Sequence, residues 1–168
     1  LQYVVKDDYE DVAILRKTLE NGQYEYYLVS DQMDTFMCEV NFTVFDLKGK
    51  EILKNNVSQL IRGNESEKIC DTCLKKELTD DNIVVQFEWK NSNGEKKVRT
   101  FSQLPTEYKK AQSSDIEVEI GNIDPISKTG VVYVRNKEYV RNFWLYSLKG
   151  GVKFNDNFLD LVPGIHEF

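Results

Sequence analysis

The sequence predicts an all-β fold of sandwich or barrel type. Three observations predict it. Apolar and polar residues alternate in several runs. Reversals rich in Gly and Asn separate those runs. Aromatic and β-branched residues are abundant, with nine Tyr and nine Phe among 168 residues. Alternation of period two marks a strand with one wet face, and strands recurring every ~8–12 residues with turns between them mark sandwiches and barrels.

Taken in chain order, residues 24–30 form the first clear strand, after an Asn21-Gly22 reversal. In the next, Cys38, Val40, Phe42 and Val44 alternate with Glu39, Asn41 and Thr43, and Lys48-Gly49-Lys50 closes the run. The best helical stretch is 71–78, and it is short and poorly patterned. Ile83, Val85, Phe87 and Trp89 then alternate with Gln86 and Glu88, ending at Asn93-Gly94. This register places Trp89 inward. A boundary is expected near residues 104–114, where Leu104-Pro105 ends one pattern and a polar, aperiodic stretch follows. Ile116, Val118 and Ile120 alternate with Glu117 and Glu119, and 131–135 form a further strand. Residues 141–148 are predicted as the next strand. Its Phe143-Trp144-Leu145-Tyr146 run is apolar on both faces, which predicts burial on both sides or a contact between domains.

Composition excludes several classes of function. The formal net charge is −6, whereas a duplex-binding domain usually carries a basic face, so no nucleic-acid partner is expected. No run approaches the ~20 apolar residues of a membrane helix, so no membrane partner is expected either. A complete (β/α)8 barrel needs about 250 residues and does not fit. The chain begins Leu1-Gln2-Tyr3 and ends within a patterned stretch, Ile165-His166-Glu167-Phe168, so it is expected to be a fragment of a longer protein.

Candidate chemistry is sparse. Cys70-Asp71-Thr72-Cys73 is a C-x-x-C, and Cys38 stands apart on an inward strand position. A structural zinc needs four ligands, and three Cys with the lone His166 do not supply a convincing set, so no metal and no cofactor are expected. Cys70 and Cys73 are read as loop thiols or as a local disulfide. One His without a nucleophile motif supports no Ser-His-Asp centre, and there is no P-loop or G-x-G-x-x-G. The acidic pairs Asp7-Asp8, Glu10-Asp11 and Asp80-Asp81 lack Ca²⁺-loop spacing and read as hydrated surface. Sequons stand at Asn41, Asn56 and Asn64. Trp144 is the candidate for stacking on a sugar, because its strand phase leaves it less committed to a core than Trp89.

The closing segment carries a resemblance. Phe154, Asp156-Asn157-Phe158, Asp160-Leu161 and Pro163-Gly164 resemble the closing fingerprint of β-mannosidases of glycoside hydrolase family two. Val162 stands where that fingerprint has Leu. The 134–146 stretch looks like the strand pair ahead of this motif. The stretch 26–50 is similar to the immunoglobulin-like domain that follows the family's catalytic barrel. The resemblance implies tandem immunoglobulin-like β-sandwich domains, residues 1–108 and 112–168, the second truncated at its last strand. It implies a parent enzyme that removes terminal β-linked mannose by a retaining mechanism using two Glu of the barrel. Asn64-Glu65 superficially matches the family's acid/base pair, but no barrel strand precedes it, so no catalytic residue is assigned. The expected role is a non-catalytic scaffold that partners the barrel and other domains of its parent, with oligosaccharide a further partner through Trp144. The alternatives are a carbohydrate-binding module and an extracellular protein-interaction sandwich. An extracytoplasmic parent (periplasmic, secreted or lysosomal) fits polymer degradation.

Overall fold

A computed structural model describes residues 10–20, 23–69, 83–103 and 116–168. Twelve strands and no helix occur among them. The boundary segment, the 71–78 helix candidate, Asn21-Gly22, Cys70 and Cys73 lie outside the described residues.

The first three-stranded sheet runs β1 (Val12–Thr18), β2 (Tyr24–Ser30) and β5 (Ser66–Lys68). The four-stranded sheet runs β4 (Glu51–Ile61), β3 (Phe36–Asp46), β6 (Ile83–Lys90) and β7 (Lys96–Gln103). Every pairing in both is antiparallel. Their facing sides enclose one core. Val12, Ile14, Tyr26 and Leu28 come from one sheet, and Cys38, Val40, Phe42, Val44, Val85, Phe87 and Trp89 from the other. The alternation that predicted strands predicts this set because successive side chains leave a strand on opposite faces. Each fully buried aliphatic or aromatic chain contributes about 1.5–3 kcal/mol. Cys38 is buried here as a free thiol, and burial pushes its pKa up.

Cross-sheet donors finish what the ladders leave open. Strand β1 is an edge of its sheet, and edge carbonyls need partners. Trp89 Nε1 donates to the Val12 carbonyl at 3.0 Å, and Arg99 Nη1 donates to that of Ile14 at 3.2 Å. Arg16 lies over the Tyr24 ring, 4.5 Å from its centroid, and donates to the Ser102 carbonyl at 2.8 Å.

Two hairpin turns share one device, an Asx side chain closing its own loop. Asp46 Oδ1 accepts the amides of Lys48 and Lys50, both at 2.9 Å, with Gly49 at φ 81°. Asn91 Oδ1 accepts those of Asn93 and Glu95, with Gly94 at φ 78°.

A second core lies in residues 116–168. Its three-stranded sheet is β12 (Gly164–Glu167), β9 (Gly130–Asn136) and β8 (Ile116–Ile123), beside a ribbon of β10 (Val140–Phe143) and β11 (Leu159–Leu161). Val134, Val140, Phe143, Leu161 and Phe168 are buried together. Two expectations need correction. The strand expected over 141–148 ends at Phe143, and Trp144 and Tyr146 are exposed rather than enclosed. Beyond Phe143 the backbone of Leu145 bonds to a side chain instead of a neighbouring strand. The alternation in β8 is real, yet Val118 and Ile120 are 55% and 69% exposed. They share a face with Val134 and Val132 across the ladder, but the second core reaches only as far as Ile116 on that strand.

A third, smaller cluster joins the two cores. Phe45 and Val84 pair on the outward face of the four-stranded sheet, the face whose next pair is the polar Thr43–Gln86. With Leu47 they pack against Tyr139 and Val162 of the C-terminal part. The Tyr139 amide donates to the Leu47 carbonyl at 3.0 Å.

Candidate functional site

The segment from Tyr139 to Gly164 gathers most of the residues singled out by sequence. It leaves β10, makes an excursion and returns as β11. The excursion is held by side chains. Asn157 is buried and replaces the missing strand partner of Leu145: its Oδ1 accepts the Leu145 amide at 2.6 Å, and its Nδ2 donates to the Leu145 carbonyl at 2.8 Å. Asp156 Oδ1 accepts the Asn157 amide at 2.8 Å. Phe154 is half-buried against the second core, and Leu161 is buried in it.

Asp160 anchors the start of the excursion. Its Oδ1 accepts the Asn142 amide at 2.9 Å, and its Oδ2 accepts the Tyr139 hydroxyl at 2.5 Å. Ser102 of β7 reaches the same Oδ2 at 3.5 Å. Tyr139 is fully buried. Burial, and then the Asp160 carboxylate beside it, push its phenol well above the usual tyrosine range. Pro163 lies against the β3–β4 turn, where a Cβ added to Gly49 would meet Pro163 Cβ at 2.6 Å. Gly164 opens β12. Of the fingerprint residues, Asp160 and Pro163 thus sit where the second core meets the first, while Phe154 and Leu161 lie in the second core and Asp156 and Asn157 hold the excursion.

The outer side of the excursion carries aromatic rings. Trp144 lies nearly parallel to Phe158, at 11° with centroids 5.6 Å apart, and Tyr146 lies 5.1 Å from Trp144 at 30°. Their exposures are 54% for Trp144, 60% for Tyr146 and 40% for Phe158. Phe158 holds φ 61° and Asn142 φ 53°. A bulky residue in the left-handed region is a genuine outlier and costs about 1–3 kcal/mol. Trp89, by contrast, lies in the first core with its ring nitrogen satisfied.

Sequence reasoning missed Tyr146, Tyr139 and Asn142. The available signal was the polar pair Asp156-Asn157 facing an apolar run, with Gly150-Gly151 between them to let the chain double back.

Other candidates stay apart from this region. Glu65 is exposed beside Arg62 at 3.6 Å, in a turn where Asn64 holds φ 55°. Asn41 and Asn56 face each other across β3 and β4, with Asn56 Nδ2 donating to Asn41 Oδ1 at 2.8 Å. A groove of about 740 Å³ runs past Glu39, Asn41, Glu88 and Lys96 at the far end of the four-stranded sheet. Its Glu88 is already paired with Lys96 at 3.0 Å. No group of three or more His, Cys, Asp and Glu converges among the described residues, and no helix long and apolar enough to cross a membrane occurs among them.

Comparison with known proteins follows the same division. The Mannosidase Ig/CBM-like domain family matches residues 22–110. No curated protein matches the chain. Among solved structures, the chain is similar to a β-D-mannosidase from Dictyoglomus thermophilum, with 16% identity and TM-score 0.63 over 98% of this chain and 20% of that one. It is also similar to an exo-chitosanase from Amycolatopsis orientalis in complex with PNP-β-D-glucosamine, with 13% identity and TM-score 0.57 over 99% of this chain and 24% of that one. The chain therefore spans about a fifth to a quarter of the enzymes whose fold it shares. These likenesses concern the fold, an all-β arrangement of immunoglobulin-like type.

Proposed function

The chain belongs to the Mannosidase Ig/CBM-like domain family, and from that premise we propose that it is a non-catalytic, architectural part of a β-mannosidase-like glycoside hydrolase. The parent would remove terminal β-linked mannose, and its catalytic barrel would be carried elsewhere on the longer chain. Residues 1–108 and 112–168 would be two successive domains of that enzyme.

The observation that carries this reading is the junction. A scaffold must hold its parts at a fixed angle, and fixed angles need packed apolar surface with its polar groups satisfied. Phe45, Leu47 and Val84 close on Tyr139 and Val162. Tyr139 is held at both ends, by the Leu47 carbonyl through its amide and by Asp160 through its hydroxyl. Phe154 and Leu161 are thereby spent on packing, and Asn157 and Asp160 on hydrogen bonds within the chain. A retaining glycosidase needs two carboxyl groups ~5 Å apart across a substrate, and the Asp160 carboxylate is engaged by Tyr139 and Asn142.

The test is turnover of p-nitrophenyl β-mannoside by the purified chain. The expected rate equals the blank. A rate above the blank that disappears on substituting a carboxylate of this chain would overturn the reading.

A further inference from the structure

We propose that the chain is covalently modified, with N-linked glycans at Asn64 and at one member of the pair Asn41 and Asn56. The inference does not depend on the scaffold role. It places the chain in a compartment where lipid-linked oligosaccharide is transferred to protein.

Three observations carry it. First, Asn41-Phe42-Thr43, Asn56-Val57-Ser58 and Asn64-Glu65-Ser66 all have the N-x-S/T pattern. With 13 Asn and 17 Ser and Thr in 168 residues, about one such triplet arises by chance. All three acceptor Asn are exposed, as a bulky surface modification requires. The buried Asn91, Asn136 and Asn157 head no triplet.

Second, the fold presents each acceptor with its hydroxyl residue. Residues i and i+2 of a strand share a face. Asn41 with Thr43 on β3, and Asn56 with Ser58 on β4, therefore stand on the outward face of the four-stranded sheet, opposite the face that buries Val40 and Phe42. Tyr139 and Val162 cover that outward face at Phe45 and Val84, and Asn41 and Asn56 lie open further along it. Asn64 stands in the turn ahead of β5 at φ 55°, a conformation Asn tolerates. Its Nδ2 rests on the thioether of Met33, itself 83% exposed.

Third, the register sets the stoichiometry. Asn41 and Asn56 are direct cross-strand partners, which puts their Cβ atoms ~4.5–5.5 Å apart. Two oligosaccharide stems crowd at that spacing, so the first attached excludes the second. In the transfer, Asn Nδ2 attacks the anomeric carbon of a sugar carried on a lipid pyrophosphate. The C–N bond forms and the anomeric C–O bond breaks. One amide proton is lost, and the lipid pyrophosphate leaves with the electron pair. The product amide keeps one N–H, so the bond from Asn56 Nδ2 to Asn41 Oδ1 at 2.8 Å survives with the glycan on either residue. A glycan there keeps neighbouring domains off this face.

The test is peptide mapping of the protein purified from its own cells. Trypsin cuts after Lys17, Lys48, Lys54, Arg62 and Lys68, so the acceptors fall on separate peptides, 18–48, 55–62 and 63–68. Peptide N-glycosidase turns each glycosylated Asn into Asp, and an untreated digest controls for deamidation. The expected result is conversion of Asn64, with Asn41 and Asn56 converted in complementary fractions that sum to no more than one. In the chain secreted from eukaryotic cells behind a signal peptide, Asn41→Gln should move the pair's glycan wholly to Asn56. Asn64→Gln should remove one glycan step from the gel mobility. Absence of conversion at all three sites in the native protein overturns the proposal. Full conversion of both Asn41 and Asn56 overturns the pairing rule on which it rests.

Discussion

Asn157 does for Leu145 what a neighbouring strand would do: it accepts from the amide at 2.6 Å and donates to the carbonyl at 2.8 Å. One side chain thus completes a ladder after β10 has ended. Asn157→Ala removes both bonds and leaves two backbone groups unpaired at a half-buried position. Each lost bond costs about 1 kcal/mol, and more where the partner stays dry. The expected loss is about 2–3 kcal/mol, or roughly 5–10 °C in melting temperature, read by thermal denaturation. Asn157→Asp keeps the acceptor alone and should fall between the two.

Trp89 offers a separable test inside the first core. Trp89→Phe keeps most of the ring but strips the Val12 carbonyl of its donor. A loss of about 1–3 kcal/mol is expected, against about 3–5 kcal/mol for Trp89→Ala, which also opens a cavity. Urea titration of the three chains distinguishes the two contributions. Equal stability of wild type and Trp89→Phe would show the bond to be worthless.

Gly49 sits at φ 81° with Pro163 pressed over its Cα. Any side chain there meets both a backbone penalty and a steric one. Gly49→Ala should cost at least about 2 kcal/mol and should act on the junction, not only on the β3–β4 turn. Hydrogen exchange reads this directly: the Tyr139 amide, bonded to Leu47, should exchange faster in the variant, while the amides of Phe42 and Phe87 stay protected.

Tyr139 makes the junction sensitive to alkali. Its phenol is raised above the ordinary value near 10, chiefly by burial and then by Asp160. The folded chain therefore keeps a proton that the unfolded chain gives up. Stability from this group is fully present below pH ~10 and declines as pH rises beyond it. Tyr139→Phe should cost about 1–2 kcal/mol at neutral pH, from the lost bond to Asp160, and should flatten the alkaline decline. Melting temperatures between neutral pH and the alkaline limit compare the two slopes, and parallel slopes would count against the assignment.

Much of the first sandwich was legible. Alternation at 38–44 and 83–89 placed Cys38, Phe42, Phe87 and Trp89 inward because a half-buried strand writes its faces into its sequence. Edge strands were harder. In β4, Lys54, Asn55 and Asn56 face solvent along most of the strand, so no apolar phase advertises it. The junction was hidden for a related reason. Val84 breaks an otherwise clean alternation, and only the packing of Tyr139 and Val162 explains why an outward position is apolar. The aromatic excursion reads from sequence as a strand, buried on both faces or in contact between domains, because apolar runs look alike whether they enter a core or leave it. What distinguishes them is the Asn157 clamp and the strained Phe158, and backbone conformation of that kind leaves no trace in periodicity.

The proposed architectural role rests on two cores held as one body, and ¹⁵N relaxation of the 168-residue chain measures that most directly. The expected result is a single rotational correlation time shared by the amides around Phe42 and Phe87 and those around Val134 and Leu161. Two shorter, independent correlation times would contradict it, because a junction that lets its halves tumble separately cannot fix the geometry of an enzyme.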